Sequence, residues 1–208
     1  MYNEHSKTQG RIALFYEIVL LAAFFLMGYL FDKGIRAYVI IYWLLFISAI
    51  LIVLVKDRNL IDLGFSTEKL KVNCLIMSGI IVIAFGLTVV FGHHSLPKLA
   101  KAASYYLFYV AMVEEVIFRG FLQNYLFGFR INRKAVYLLG GIFFAIMHIP
   151  FQMFANDMVS IKYLFIALPQ LAFTFVFHLI MSFITYRRGD IMIPIALHFA
   201  IDFLQAAF

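Results

Sequence analysis

Charged residues are scarce in this sequence. Asp, Glu, Lys and Arg make up 13% of its 208 residues, whereas 64% are hydrophobic and 18% are aromatic. The mean hydropathy is +0.95. Soluble domains are about 45–50% apolar and about 25% charged. The composition therefore excludes an ordinary soluble domain and predicts a polytopic protein that resides in a lipid bilayer.

Cysteine is nearly absent as well. Cys74 is the only one, which excludes an internal disulfide and a zinc site built from several cysteines. The formal net charge is +6, which could indicate binding to nucleic acid. However, the basic residues lie in short segments between apolar runs, where the positive-inside bias of membrane proteins accounts for them. We therefore predict no nucleic-acid partner.

Long apolar runs make up most of what is present. They predict an all-α transmembrane helix bundle of seven spans, or eight if one weakly marked span is missed. A mixed polar and apolar segment at 56–71 is expected to be a connecting loop or a short interfacial helix. The predicted spans are residues 12–31, 37–55, 72–92, 102–127, 134–154, 162–185 and 190–206.

The segments between these spans differ in their content of Lys and Arg. Segments 1–11, 56–71, 128–134 and 186–189 would lie on one side of the membrane and together carry eleven basic residues. The segments on the other side carry five. The positive-inside rule therefore predicts a multi-pass protein of the cell membrane with a cytoplasmic N-terminus.

Three charged residues interrupt the fourth apolar run. Glu114, Glu115 and Arg119 lie within the stretch AMVEEVIFRG, and each charge at the centre of a bilayer costs roughly 2.5–3.5 kcal/mol on insertion scales. Glu115 and Arg119 are four residues apart, so they share a helix face and are expected to pair. Glu114 is rotated by about 100° from Glu115. We therefore expect it to be unpaired and to face a polar cavity.

Polar residues of two later spans fall at a similar depth. His148 lies in the fifth run, and His198 and Asp202 share a helix face in the seventh. We count depth at about 1.5 Å per residue from the predicted cytoplasmic end of each span. On this count Glu114, His148 and Asp202 lie roughly 20 Å deep in the membrane, and His198 lies roughly 15 Å deep. Polar clusters near the membrane midplane are costly and usually functional. These four residues are therefore predicted to form one site.

The motifs that contain these residues resemble those of a known family. The family is CPBP, the CAAX-protease and bacteriocin-processing intramembrane endopeptidases, also called Abi proteins. Asn is more common than Asp at the last motif position of that family. The resemblance covers about residues 102–208, which would form the catalytic core helices, while residues 1–101 would supply the N-terminal spans and the connecting segment. The motifs, in order, are Glu-Glu-x-x-x-Arg (Glu114, Glu115, Arg119), Phe-x-x-x-His (Phe144, His148) and His-x-x-x-Asp (His198, Asp202).

The resemblance implies a catalytic role for four of these residues. Glu114 and His148 would activate a water molecule. His198 and Asp202 would bind or polarise the scissile carbonyl. Asp202 could donate a hydrogen bond only if protonated, and as a carboxylate it would orient His198 or repel the oxyanion.

Two further expectations concern the remaining motif residues and a cofactor. Glu115 with Arg119 would hold the fourth helix in register. A metal-free glutamate mechanism is favoured, so no cofactor is expected. The alternative is zinc bound by Glu114, His148 and His198, since three such ligands with an open position suit catalytic zinc.

The leading prediction is an intramembrane endopeptidase whose substrate is a peptide or membrane protein. Its cavity would open to the cytoplasm or laterally to the bilayer. By analogy alone, bacteriocin or pheromone maturation or self-immunity is favoured. One alternative is a non-enzymatic bacteriocin-immunity or scaffold protein, whose phenotype would survive Glu114→Ala. Another is a proton-coupled transporter, but no repeated half of the kind common in transporters is evident.

Overall fold

Helices form nearly all of the chain in the computed structural model, which describes residues 5–208. No strand occurs in this range. The all-α prediction is therefore confirmed. The helices are α1 (Lys7–Asp32), α2 (Ala37–Asp57), α3 (Leu70–Phe91), α4 (residues 96–126), α5 (Arg133–Ile146), α6 (His148–Ala155), α7 (Lys162–Arg188) and α8 (Met192–Ala207).

Five helical stretches are long and apolar enough to cross a membrane. They are α1, α2, α3, α7 and the stretch Arg133–Ala155, which joins α5 and α6. The last predicted span corresponds to α8, which is apolar but only 16 residues long. The chain is thus a multi-pass helical membrane protein, and each of the seven predicted runs corresponds to a helical stretch.

The helix α4 contains two π-helical segments. Its segments Tyr105–Ala111 and Val116–Leu122 are π-helical, and they flank one α-helical turn, Met112–Glu115. Short π-helical segments inside α-helices are rare and are frequent at functional sites. Here they lie on both sides of the two adjacent glutamates, so the irregular part of α4 coincides with its charged part.

The two ends of the bundle differ in charge. The end that holds the basic segments 56–71, 128–134 and 186–189 and the start of α1 is called the cation-rich end. There the carboxylate of Asp57 accepts hydrogen bonds from Gln9 and Tyr125, each at 2.6 Å. These contacts join the start of α1 to the ends of α2 and α4. At the opposite, cation-poor end, the ring of Phe154 in α6 packs on Phe25 of α1 with 5.1 Å between centroids.

The segment 56–71, expected to be a loop or a short interfacial helix, is a connection whose middle, residues 62–64, is buried in the bundle. It contains the 3₁₀ turn Ile61–Leu63, in which Leu63 is buried. Gly120 of α4 approaches the backbone of Leu63 so closely that a Cβ would overlap its carbonyl oxygen. The carbonyl of Gly64 accepts a hydrogen bond from the N–H of Ile191, at 3.0 Å. The segment therefore holds α4 and the start of α8 together.

Candidate active site

The helices α4 and α8 meet at the imidazole of His198. Its Nδ1 lies 2.8 Å from Oε1 of Glu115, and the same oxygen accepts a hydrogen bond from Nη1 of Arg119 at 2.6 Å. The side chains of Glu115 and Arg119 are fully buried. The two residues therefore form an ion pair, as the spacing predicts. Glu115 also binds His198, a contact that sequence reasoning missed because 83 residues separate the two.

The second ring nitrogen of His198 faces two other carboxyl groups. Its Nε2 lies 3.4 Å from Oδ2 of Asp202 and 3.9 Å from Oε2 of Glu114. The longer distance is beyond hydrogen-bonding range. Oε2 of Glu114 is buried, and no hydrogen-bond partner for it occurs among residues 5–208. Glu115 is therefore fully buried and held by two partners, whereas the side chain of Glu114 is 14% exposed.

His148 is oriented by its own helical turn. Its Nδ1 lies 2.7 Å from the carbonyl oxygen of Phe144, four residues earlier. A carbonyl oxygen can only accept, so Nδ1 carries the proton of the donor and the neutral ring keeps a lone pair on Nε2. The Phe-x-x-x-His spacing thus fixes one tautomer of this imidazole, which is half-buried.

The four residues predicted to form the site line one cavity of about 680 Å³. They come from α4 (Glu114), α6 (His148) and α8 (His198 and Asp202). This volume lies within the range of roughly 300–1,000 Å³ that is usual for ligand sites. Arg119 and Glu115 do not line the cavity. Arg119 instead lies behind the ring of Phe144, with its guanidinium carbon 4.3 Å from the ring centroid.

Several polar residues of the cavity wall were not predicted. Gln152 of α6 lies four residues after His148, and Thr174 lies four after Gln170 in α7, while Gln205 follows Asp202 in α8. The i, i+4 spacing is the signal that could have pointed to Gln152, because it shares a helix face with His148. The rest of the wall is largely aromatic, with Phe144, Phe173 and Phe177.

The cavity opens toward the cation-poor end. From each motif residue the lining continues in that direction, to Val110 in α4, Gln152 in α6, Gln170 in α7 and Gln205 in α8. Toward the other end the way is closed, because α4 is buried throughout residues 115–126. We expected an opening to the cytoplasm, which is predicted at the cation-rich end, or laterally to the bilayer, and the cavity does not open at the cation-rich end. The exposed Phe173 and Ile201 also border the cavity, so part of its rim lies on the membrane-facing surface.

The residues proposed as alternative zinc ligands do not assemble as a metal site. Within the part of the chain that the structure describes, no group of three or more His, Cys, Asp or Glu side chains is placed to hold a metal ion. Nδ1 of His198 is directed at Glu115 and Nδ1 of His148 at a carbonyl oxygen, so Nε2 is the atom of each ring that is left for a ligand. In this arrangement the Glu114, His148 and His198 side chains are not grouped as three metal ligands.

A second buried polar group lies beyond Arg119 and away from the cavity. Nε2 of His178 lies 3.0 Å from Oε1 of Gln123, whose Nε2 donates to the carbonyl of Val136 at 3.3 Å. His178 and Gln123 are fully buried. These bonds connect α4 with α5 and α7, so His178 is an interhelical hydrogen bonder.

Comparison with known proteins gives one match. Residues 96–204 match the family model described as Rce1-like, type II CAAX prenyl endopeptidase Rce1-like. The match spans just over half of the chain and includes all three motifs. No curated protein and no solved structure matches the chain.

Proposed function

This chain belongs to the Rce1-like family of type II CAAX prenyl endopeptidases, and we propose that it hydrolyses a peptide bond of a membrane-associated peptide or protein within its cavity. One observation carries the proposal. The side chains of Glu114, His148 and His198 line the same cavity. A base, a group that fixes water and a hydrogen-bond donor for an oxyanion are what metal-free amide hydrolysis requires.

Glu114 is the proposed general base. Its carboxylate takes a proton from a water molecule, and the resulting hydroxide attacks the scissile carbonyl carbon. His148 holds that water through the lone pair on Nε2. The proton on Glu114 then passes to the nitrogen of the leaving amine as the C–N bond breaks. The products are a carboxylic acid and an amine, and Glu114 returns to its starting state.

His198 is the proposed donor to the oxyanion. Its Nδ1–H is fixed on Glu115, so a proton on Nε2 points into the cavity, where it can bind the oxygen of the tetrahedral intermediate. Asp202, at 3.4 Å from Nε2, favours the protonated imidazole and orients it. Arg119 neutralises Glu115, so Glu115 and Arg119 are positioning residues.

No step of this proposed mechanism runs through a metal ion, because no group of three or more possible metal ligands is formed among residues 5–208. The purified protein tests this directly. Less than one equivalent of bound zinc together with chelator-resistant cleavage is the expected result. Cleavage that is lost with a chelator and restored by zinc would overturn the metal-free mechanism.

The activity itself is tested with purified protein in detergent and a proteome-derived peptide library, with cleavage read by mass spectrometry. Removing a general base typically costs about 10²–10⁴ in rate, so Glu114→Gln is expected to lower cleavage at least a hundredfold. His148→Ala is expected to lower it as well. The matched control is Glu68→Gln, which makes the same change at an exposed position far from the cavity. Full activity of Glu114→Gln would overturn the proposal.

The biological setting that we propose is maturation of a bacteriocin or pheromone, or self-immunity. We further propose that the N-terminus is cytoplasmic, since the cation-rich end carries the larger share of Lys and Arg. With that orientation the cavity opens to the extracytoplasmic side. If the protein confers immunity without catalysis, Glu114→Gln will retain protection in cells while showing no cleavage.

A further inference from the structure

A second concave surface lies between α5 and α7, at the cation-rich end of the bundle. It is a groove of about 350 Å³ and shares no residue with the cavity that contains Glu114. Its wall is largely apolar and accessible, since Leu138 and Phe183 are 46% and 57% exposed. The groove is therefore open to the acyl chains of the surrounding lipid. Its lining residues are Lys134, Tyr137 and Leu138 of α5 and Leu179, Phe183 and Tyr186 of α7.

The groove has a limited depth along the two helices. At its inner end α5 and α7 pack closely, because a Cβ at Gly141 of α5 would lie 3.6 Å from the side chain of Leu179. From Leu179 to Tyr186 the axis of α7 advances by roughly 10 Å. The hydrocarbon core of a bilayer is about 30 Å thick, and the headgroup layers bring the total to about 40–45 Å. The groove is thus long enough to hold a headgroup and the first part of an acyl chain.

Three basic side chains lie around the outer end of this groove. Lys134 is part of the lining. Nη1 of Arg133 donates a hydrogen bond to the hydroxyl of Tyr186 at 2.9 Å, and its guanidinium carbon lies 5.0 Å from the centroid of that ring. The guanidinium carbon of Arg187 lies 5.3 Å from the centroid of the Phe183 ring. Both aromatic rings that α7 contributes to the groove therefore carry a guanidinium group.

These three cations lack acidic neighbours within residues 5–208. The stretches 116–156 and 158–189, which contain both helices, include neither Asp nor Glu. Arg133, Lys134 and Arg187 form no ion pair with the described part of the chain. The positive-inside bias explains basic residues at this end, but it does not explain why two guanidinium groups lie over the rings of one groove. Positive charge that no acid neutralises beside an apolar surface is complementary to a phosphate that carries acyl chains.

We propose that the groove between α5 and α7 binds an anionic phospholipid of the surrounding leaflet. Arg133, Lys134 and Arg187 donate charge-assisted hydrogen bonds to its phosphate. One acyl chain lies in the groove against Leu138 and Phe183. Basic pockets between transmembrane helices are a known kind of site for anionic headgroups. A zwitterionic phospholipid is bound less tightly, because the same three cations repel its positively charged group.

The test uses the full-length protein in detergent, with bound lipid measured by native mass spectrometry. Dioleoylphosphatidylglycerol is the anionic probe, and dioleoylphosphatidylcholine is the zwitterionic one. We expect the anionic lipid to bind at least tenfold more tightly, a difference of about 1.4 kcal/mol. It should also raise the midpoint of thermal unfolding, since a ligand that binds only the folded protein stabilises it. Equal affinity for the two lipids would overturn the proposal.

A pair of double variants shows whether the charges at the groove are the cause. Arg133→Gln combined with Lys134→Gln removes two of the three cations and is expected to lower the preference for the anionic lipid at least fivefold. Lys69→Gln combined with Lys71→Gln is the matched control. It removes the same charge from exposed positions at the same end of the bundle, outside the groove, and should keep the preference. An equal loss in both would show attraction to the charged end as a whole and would contradict a site at the groove.

A second pair of variants tests whether the groove itself is occupied. Leu138→Trp fills the groove without changing its charge and is expected to weaken binding of the anionic lipid at least fivefold. Ile142→Trp is the matched control, because Ile142 is also exposed on α5 but lies outside the lining. If Leu138→Trp binds the lipid as the wild type does, no acyl chain lies in the groove. Inorganic phosphate at millimolar concentration should not displace the lipid, and displacement would assign the site to free phosphate instead.

Discussion

At the scale of single residues, two adjacent glutamates have different surroundings. Glu115 is fully buried and binds both Arg119 and His198, whereas Glu114 lines the cavity and has 14% of its side chain exposed. The winding of α4 separates them, because consecutive residues point about 100° apart. Neighbours in sequence can therefore serve stability and chemistry separately.

This difference predicts that replacing a glutamate by glutamine has different effects at the two positions. Glu115→Gln removes the negative charge beside Arg119 and leaves a buried cation without its counterion, a change that costs about 3–5 kcal/mol. We expect it to lower the midpoint of thermal unfolding in detergent markedly and to reduce cleavage through misplacement of His198. Glu114→Gln should leave the unfolding midpoint equal to that of the wild type within experimental error. Only its rate of cleavage should fall.

Both variants are purified and measured in the same way, so each serves as the control of the other. Arg119→Lys adds a further check, since it keeps the charge but not the planar guanidinium that stacks on Phe144. It should be less damaging than Glu115→Gln. If Glu114→Gln unfolds as readily as Glu115→Gln, the proposed division between the two glutamates is wrong.

At the scale of elements, the position of α4 depends on the segment 56–71. The contact joins the backbone of Gly120, the residue after Arg119, to the backbone of Leu63. It brings the charged part of α4 against a buried turn, and that turn also hydrogen-bonds the N-terminal start of α8 through Gly64. The helices that carry Glu115 and His198 are therefore held in register by a segment that contributes no residue to the cavity.

The contact predicts that Gly120→Ala is harmful although alanine favours helices. The added Cβ would overlap the carbonyl oxygen of Leu63, and a buried backbone cannot move aside freely. Overpacking of this kind typically costs about 1–3 kcal/mol, so we expect a lower thermal unfolding midpoint and reduced cleavage.

Gly79→Ala in α3 is the matched control. No atom lies within 4 Å of a Cβ built at that position. Alanine is about 1 kcal/mol better than glycine in a helix interior, so this variant should unfold at the same or a higher temperature. Equal behaviour of the two variants would contradict the role of the contact between α4 and the segment 56–71.

The sequence was sufficient for the helices and for the four motif residues that gather at the cavity. The helices follow from apolar runs, and the Glu115–Arg119 pair follows from a spacing of four within one helix. The contact of His198 with Glu115 was not predictable in this way, because it depends on how α8 packs on α4. The π-helical turns of α4 and the burial of Leu63 likewise arise from tertiary packing, which leaves no periodic signal in the sequence.

At the scale of the whole molecule, the cavity and the basic residues lie toward opposite ends. The lining reaches Gln205 near the end of α8, whereas Lys and Arg are concentrated around the start of α1, segment 56–71 and the end of α7. If the positive-inside rule sets the orientation, the substrate enters from the extracytoplasmic side or from the bilayer beside Phe173 and Ile201. A cytoplasmic peptide would then not reach Glu114.

Thiol labelling in intact cells tests this orientation. Cys74 is the only cysteine, so Cys74→Ser provides a background without thiols. In that background Gln205→Cys places a thiol on the cavity rim, and Thr67→Cys places one at an exposed position of the cation-rich end. A membrane-impermeant maleimide is expected to label Gln205→Cys in intact cells and to label Thr67→Cys only after permeabilisation. Because the thiols lie at opposite ends of one bundle, the reverse pattern would place the cavity mouth in the cytoplasm and make cytoplasmic peptides the substrates.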